Sequence, residues 1–208
     1  HEPGKKAQSK SYMWLYRTGR DAPLQLVLYE YRQSRGAKHP ETFLKDYRGY
    51  LHADGYAVYY GLPGVTVASC WAHVRRKFDE AMQGTSKKDA AKGSNALRGK
   101  QYCDMLFAIE GEISSLTPEE RLEQRKKRAR PILEEFHEWV FHLNDAPKSL
   151  LGSAAHYTRK LWPWLTNYLL DGRLEISNNR AERSIKPFVM GRKNFLFANV
   201  PKGAESSA

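Results

Sequence analysis

The chain has 208 residues, 41% hydrophobic and 12% aromatic, enough for one large domain or a domain carrying an insertion, and too apolar for global disorder. Its 34 Lys and Arg against 23 Asp and Glu give a net charge of +11, which favours polyanionic partners without implying sequence preference, although a merely soluble basic protein has the same balance. Two cysteines, Cys70 and Cys103, exclude a disulfide framework and make a reducing cytosol the default, and no apolar run of about 18 residues exists to span a membrane.

His1-Glu2-Pro3-Gly4-Lys5-Lys6 lacks both Met and the apolar core of a signal peptide. The chain starts in what reads as a turn and ends abruptly after Gly203-Ala204-Glu205, so a fragment cut at both ends is expected. Ser11 to Arg17 and Leu24 to Tyr31 read as two strands of a hairpin, separated by a Gly- and Asp-containing turn. Pro40 to Tyr47 reads as a short helix, and Tyr50 to Asp54 as a third strand stopped by Gly55. Val65 to Cys70 is a fourth strand, running directly into a helix over Trp71 to Met82 with apolar residues at Ala72, Val74, Phe78 and Met82.

Residues 84–95 are small and polar and read as a loop. From Ala96 to about Leu170 the signals are helical. Thr117-Pro118-Glu119-Glu120 carries an N-cap Thr, Pro at the first helical position and Glu at the third. Arg121 to Arg130 holds six basic residues against one Glu, Pro131 starts a new helix or kinks the old one, and Ile132, Phe136, Val140 and Leu143 continue an apolar stripe. Ser149 to Leu170 is a further helix with Pro163 inside it. After Asp171-Gly172, a helix runs from Asn178-Asn179 to roughly Lys186 and stops near Pro187, and 194–198 reads as a last extended segment. Strands early and helices late suggest an α+β fold; an α/β core interrupted by a helical insertion fits equally well.

Two carboxylates stand out. Asp54 closes the third strand, where sites gather in α/β sheets, and Gly55 lets the backbone turn just after it. Asp-Gly is also an ordinary turn pair. Glu182 is three and four residues beyond Asn179 and Asn178, on one helical face, and Arg180 and Arg183 offer guanidinium forks for phosphate. The plainer alternative makes Asn178 a helix cap and Glu182 a surface ion-pair partner. Acids so placed suit two-metal phosphoryl transfer, which holds two divalent ions about 3.5–4 Å apart, and Mg²⁺ takes few protein carboxylates. Arg75, Arg76 and Lys77 meet a polyanion or solvent, and Arg192 and Lys193 form a second basic cluster. Cys70 and His73 have no second pair at zinc-ligand spacing. Neither a Gly-x-Ser-x-Gly elbow nor a Gly-rich nucleotide loop occurs.

The strings YEYRQSRGAKHPETFL (29–44), LHADGYAVYYGL (51–62), CWAHVRRKF (70–78), DGRLEISNNRAERSIKP (171–187) and GRKNFLF (191–197) together resemble the catalytic domain of the insertion-sequence 66 family of DDE transposases, in the family's order and over nearly the whole chain. The resemblance implies an α/β fold with an RNase H-like core, a mixed sheet with flanking helices, interrupted by a mostly helical insertion. Residues 1–83 are then the first part of the core, 84–170 the insertion, and 171–208 the return. It implies Asp54 and Glu182 as second and third catalytic, metal-binding acids, Mg²⁺ or Mn²⁺ in a two-metal site of the complete protein, cleavage at transposon ends and strand transfer into target DNA. Arg75, Arg76, Lys77, Asn178, Asn179, Arg180, Arg183, Arg192 and Lys193 are the DNA-binding candidates.

Self-association on DNA, no membrane partner and a prokaryotic cytoplasm, in the nucleoid when DNA-bound, complete the expectation. The family's first acid lies in an Asp-Glu-Thr-Pro-like string that this sequence lacks; Asp21 and Glu30 are no substitutes. It is expected upstream of residue 1, leaving the fragment inactive alone. A non-catalytic, domesticated DNA-binding derivative and an unrelated basic helical adaptor are the alternatives.

Overall fold

Tyr12–Arg17 (β1) and Val27–Arg32 (β2) pair antiparallel, Tyr12 opposite Arg32 and Arg17 opposite Val27. The second strand starts later than its apolar pattern predicts, because the connecting turn claims Leu24 to Leu26. Thr18 Oγ1 donates to the Leu24 carbonyl at 2.9 Å and accepts from the Leu26 N–H at 2.9 Å, while Gln25 Nε2 donates to the carbonyls of Gly19 and Ala22. A computed structural model describes residues 10–84 and 94–194, with the backbone alone over 191–194. The expected loop falls largely on 85–93, and the extended segment beyond Asn194 on 195–198; both lie outside the described residues.

The architecture is mixed α/β, with small sheets and many helices. The chain divides into two units: His1–Tyr47, Gly61–Pro63 and Asn179–Ala208 in one, Arg48–Tyr60 and Gly64–Asn178 in the other. In the first, the hairpin packs with Lys38–Phe43 (α1) through Tyr16 stacked on Phe43 at 3.9 Å and Trp14 beside His39. Its last helix, Asn179–Asn194 (α7), is tied to the hairpin at Ser184, whose carbonyl accepts from the Tyr29 hydroxyl at 2.6 Å and whose hydroxyl accepts from Arg17 Nη1 at 2.7 Å. This helix does not stop at Pro187. Pro187 is exposed, so the break it makes in the hydrogen-bond ladder falls where solvent can reach the freed carbonyl.

In the other unit, Gly49–Ala53 (β3) and Val65–Ser69 (β4) pair in parallel, Gly49 opposite Val65 and Ala53 opposite Ser69. Trp71–Gln83 (α2), Asn95–Glu112 (α3), Pro118–Gln124 (α4), Arg130–His142 (α5) and Leu150–Leu165 (α6) follow. Thr117 and Glu120 form the expected capping box. Between α4 and α5 the backbone widens into a π-helical turn, Arg125–Ala129, just where the Pro131 ring would clash with the Lys127 carbonyl in a regular helix. Apolar spacing on α2, α3, α5 and α6 buries one core centred on Phe136, whose ring lies 4.7 Å from Tyr102 and 5.8 Å from Trp71. Cys70 and Cys103 are both buried.

The basic run is not one solvated face. Arg121 and Arg125 are buried, at 3% and 1% exposure. Arg125 grips Glu110 with two bonds of 2.7 Å and donates to the carbonyls of Tyr168, Asp171 and Leu174. Arg121 donates to the carbonyls of Leu116 and Gly172. A Cβ at Gly172 would lie 1.6 Å from the Pro118 carbonyl oxygen, with backbone on both sides. Gly172→Ala is therefore expected to cost about 1–3 kcal/mol of stability, read by urea unfolding; a loss below about 0.5 kcal/mol would contradict this packing.

Candidate active site

Parallel pairing brings the C-terminal ends of β3 and β4 to one edge. Ala53 is level with Ser69, so Asp54 and Cys70 leave the strands side by side. Asp54 is half-buried, and its Oδ1 accepts the Tyr56 N–H at 3.1 Å, the side-chain turn that Asp favours. Gly55 has φ +91°, a conformation that glycine adopts without strain. The pair thus forms a turn and also sets an acid at a strand end.

The Tyr157 hydroxyl, on α6, donates to the Asp54 carbonyl at 3.1 Å. Burial first, then the neighbouring Tyr60, Cys70 and Asp54, push the Tyr157 phenol far up, so it stays a donor at physiological pH. Tyr60 is likewise raised by burial, and its hydroxyl shares a hydrogen bond with Ser69 at 2.8 Å.

Three bonds pin the return segment along this edge. His52 Nε2 meets the Glu175 carbonyl, the Trp71 N–H donates to the Ile176 carbonyl at 3.1 Å, and the Asn178 N–H donates to Cys70 Sγ at 3.4 Å. Burial lowers the His52 pKa, so the ring is neutral and donates through Nε2. Asn178 immediately precedes α7, yet its Oδ1 is buried without a hydrogen-bond partner: the cap bond of the plainer alternative is not made.

In the other unit, Glu182 is half-exposed in the first turn of α7, where the helix dipole favours a negative charge. Arg183 is exposed, and Asn179 and Arg180 are partly so. Among the remaining cations, Arg75 is bound to Asp104 on α3, which Lys100 also holds at 2.9 Å. Arg76 is exposed, and Lys77 Nζ lies 5.0 Å from the centre of the Tyr157 ring. Arg192 and Lys193 belong to the α7 backbone, and their side chains lie outside the described residues.

Among the described residues, no three His, Cys, Asp or Glu side chains gather as a metal site. The donor chemistry suits a hard divalent ion: the Asp54 carboxylate and the orphaned Asn178 Oδ1 are oxygen ligands of the kind Mg²⁺ takes. Among the same residues no helix is long and apolar enough to cross a membrane.

The transposase IS66 family model matches residues 1–206. The chain belongs to the IS66 transposase family. Curated relatives from Sinorhizobium fredii include uncharacterized protein y4hP, 32% identical over 210 residues, covering 91% of this chain and 37% of that protein. Uncharacterized protein y4jD is 30% identical over 223 residues, covering 100% and 42%, and uncharacterized protein y4qI is 31% identical over 225 residues, covering 99% and 40%. The IS66 chain thus spans about two-fifths of the length of the relatives it matches. No solved structure matches it.

Sequence reasoning on this IS66 chain missed Tyr157 and the buried Arg121–Arg125 pair. The arginines carried a signal: Arg121, Arg125 and Ala129 extend the three- and four-residue spacing of buried Leu133, Phe136 and Val140 toward the N-terminus. Tyr157 carried none, since its partner is 103 residues away.

Proposed function

We propose that this chain carries two of the three carboxylates of an IS66 transposase DDE site, Asp54 and Glu182. They stand on an RNase H-like core formed by residues 1–83 and 171–208 and interrupted by the helical insertion 84–170. The observation that carries this reading is the strand-end Asp54 together with the return segment tied to that same edge, which leads directly into the helix bearing Glu182. On this reading the third ligand comes from the longer protein.

Two Mg²⁺ or Mn²⁺ ions, when bound, activate the attacking oxygen and stabilise the leaving one. The protein's own part is positional. The Tyr56 N–H orients the Asp54 carboxylate, while Asn178, Asn179, Arg180 and Arg183, with Arg76, Lys77, Arg192 and Lys193, hold DNA phosphates; Arg75 contributes to the same field from its pair with Asp104. The complete protein nicks transposon ends in the bacterial cytoplasm, transfers the freed 3′-hydroxyl to target DNA and works as a homo-oligomer on paired ends. Residues 1–208 alone bind DNA without strand transfer. Metal-dependent nicking of transposon-end DNA by the full-length protein tests the reading; tight binding with no nicking in Mg²⁺ or Mn²⁺ points instead to the non-catalytic DNA-binding derivative.

Phosphate contacts release counterions, so log affinity falls linearly with log salt. Arg183→Ala is expected to weaken DNA binding uniformly across sequences and to reduce the salt slope by about 1. Fluorescence anisotropy between low and moderate salt measures it, and an unchanged slope removes Arg183 from the interface.

A further inference from the structure

We infer that Tyr157 is a positioning residue for Asp54: through one hydrogen bond to the Asp54 main-chain carbonyl, helix α6 fixes where the acid's carboxylate points. The inference rests on the functional reading above. Its geometry lies wholly within one unit and involves three consecutive residues. The Tyr157 hydroxyl holds the Asp54 carbonyl at 3.1 Å, and the Tyr56 N–H holds Asp54 Oδ1 at the same distance. Between them Gly55 turns the chain at φ +91°, so close that a Cβ there would lie 2.8 Å from Tyr157 Oη and 3.1 Å from Leu161 Cδ1.

The peptide after Asp54 is therefore gripped on both sides, and only a glycine fits beneath the phenol. Tyr157 is itself held, since Lys77 Nζ sits over its ring at 5.0 Å. The hydroxyl touches no reacting atom in this arrangement. It acts through the backbone, fixing the peptide from which the Asp54 carboxylate projects. Preorganisation of this kind separates a metal ligand from a surface aspartate.

Tyr157→Phe in the full-length protein removes one oxygen and leaves the ring packing intact. Calorimetric titration with Mn²⁺ is expected to show a three- to tenfold weaker dissociation constant, about the worth of one neutral hydrogen bond. The Mg²⁺ concentration for half-maximal nicking should rise in parallel, with DNA affinity unchanged. Gly55→Ala, which forces the same contact apart, should shift both readouts in the same direction. Mn²⁺ affinity and Mg²⁺ demand both within twofold of wild type for Tyr157→Phe would overturn the inference. A loss of DNA affinity at constant metal affinity would overturn it too, assigning Tyr157 to DNA instead. Asp54→Asn run alongside separates the two failures: if it retains full nicking and Mn²⁺ binding, the functional reading itself has failed.

Discussion

Asp54→Asn and Glu182→Gln in the full-length protein are each expected to lower single-turnover nicking of transposon-end DNA about a thousandfold, with DNA affinity within about threefold of wild type. The magnitude follows from the several kcal/mol of transition-state charge stabilisation that a metal supplies and from tenfold in rate per 1.4 kcal/mol or so. Each substitution keeps the side-chain shape and removes the charge that holds the ion. Asp54 keeps its turn in the variant, because an amide oxygen accepts the Tyr56 N–H as the carboxylate does. Glu182 sits in the first turn of α7, whose anchorage to the hairpin runs through Ser184, Arg17 and Tyr29. Neither change should therefore unfold its surroundings. Nicking within tenfold of wild type for either variant would remove that acid from the site.

Arg125→Met is expected to destabilise the chain by about 3–5 kcal/mol, the usual result of removing one partner of a buried ion pair. Arg125 is 1% exposed and meets the Glu110 carboxylate and three main-chain carbonyls. The variant takes Arg125's donors away from Glu110 and those carbonyls. Arg125→Lys should also lose stability, since one ammonium cannot reproduce a planar fork that spans α3 and the 168–174 segment. Urea unfolding followed by tryptophan fluorescence measures both, and a loss under about 1 kcal/mol for Arg125→Met would contradict the role of this pair. Glu110→Gln is the companion substitution: it keeps an acceptor for Arg125, removes the opposite charge and should cost less than Arg125→Met.

Local signals carried much of the architecture. The β-branched run before Trp71 and the 3.6-residue spacing after it place β4 and α2 almost to the residue, and the Thr117 capping box starts α4 as its side chains dictate. The settings of Asp54 and Glu182, at a strand end and in a first helical turn, follow from the same kind of signal. What was not legible depends on distant partners. Charge ordinarily means exposure, and the Glu110 carboxylate with the carbonyls of Leu116, Gly172, Tyr168, Asp171 and Leu174 makes the burial of Arg121 and Arg125 tolerable. Arg75 looked free for phosphate until Asp104 arrived from another helix. Pro187 reads as a stop signal, yet its exposure makes the missing bond cheap to replace with water. Parallel pairing of β3 with β4 has no local signature either; it depends on the turn through Gly55 and on Gly64 at φ +73°.

The central claim is that Asp54 and Glu182 ligate a common pair of divalent ions. Crystals of the full-length protein with transposon-end DNA, soaked in Mn²⁺ and measured at the manganese absorption edge, address it directly. The account predicts anomalous peaks about 3.5–4 Å apart, with carboxylate oxygens of both Asp54 and Glu182 in the coordination shell. Manganese bound without either acid, or the two carboxylates held more than about 12 Å apart, too far to share such ions, would contradict it.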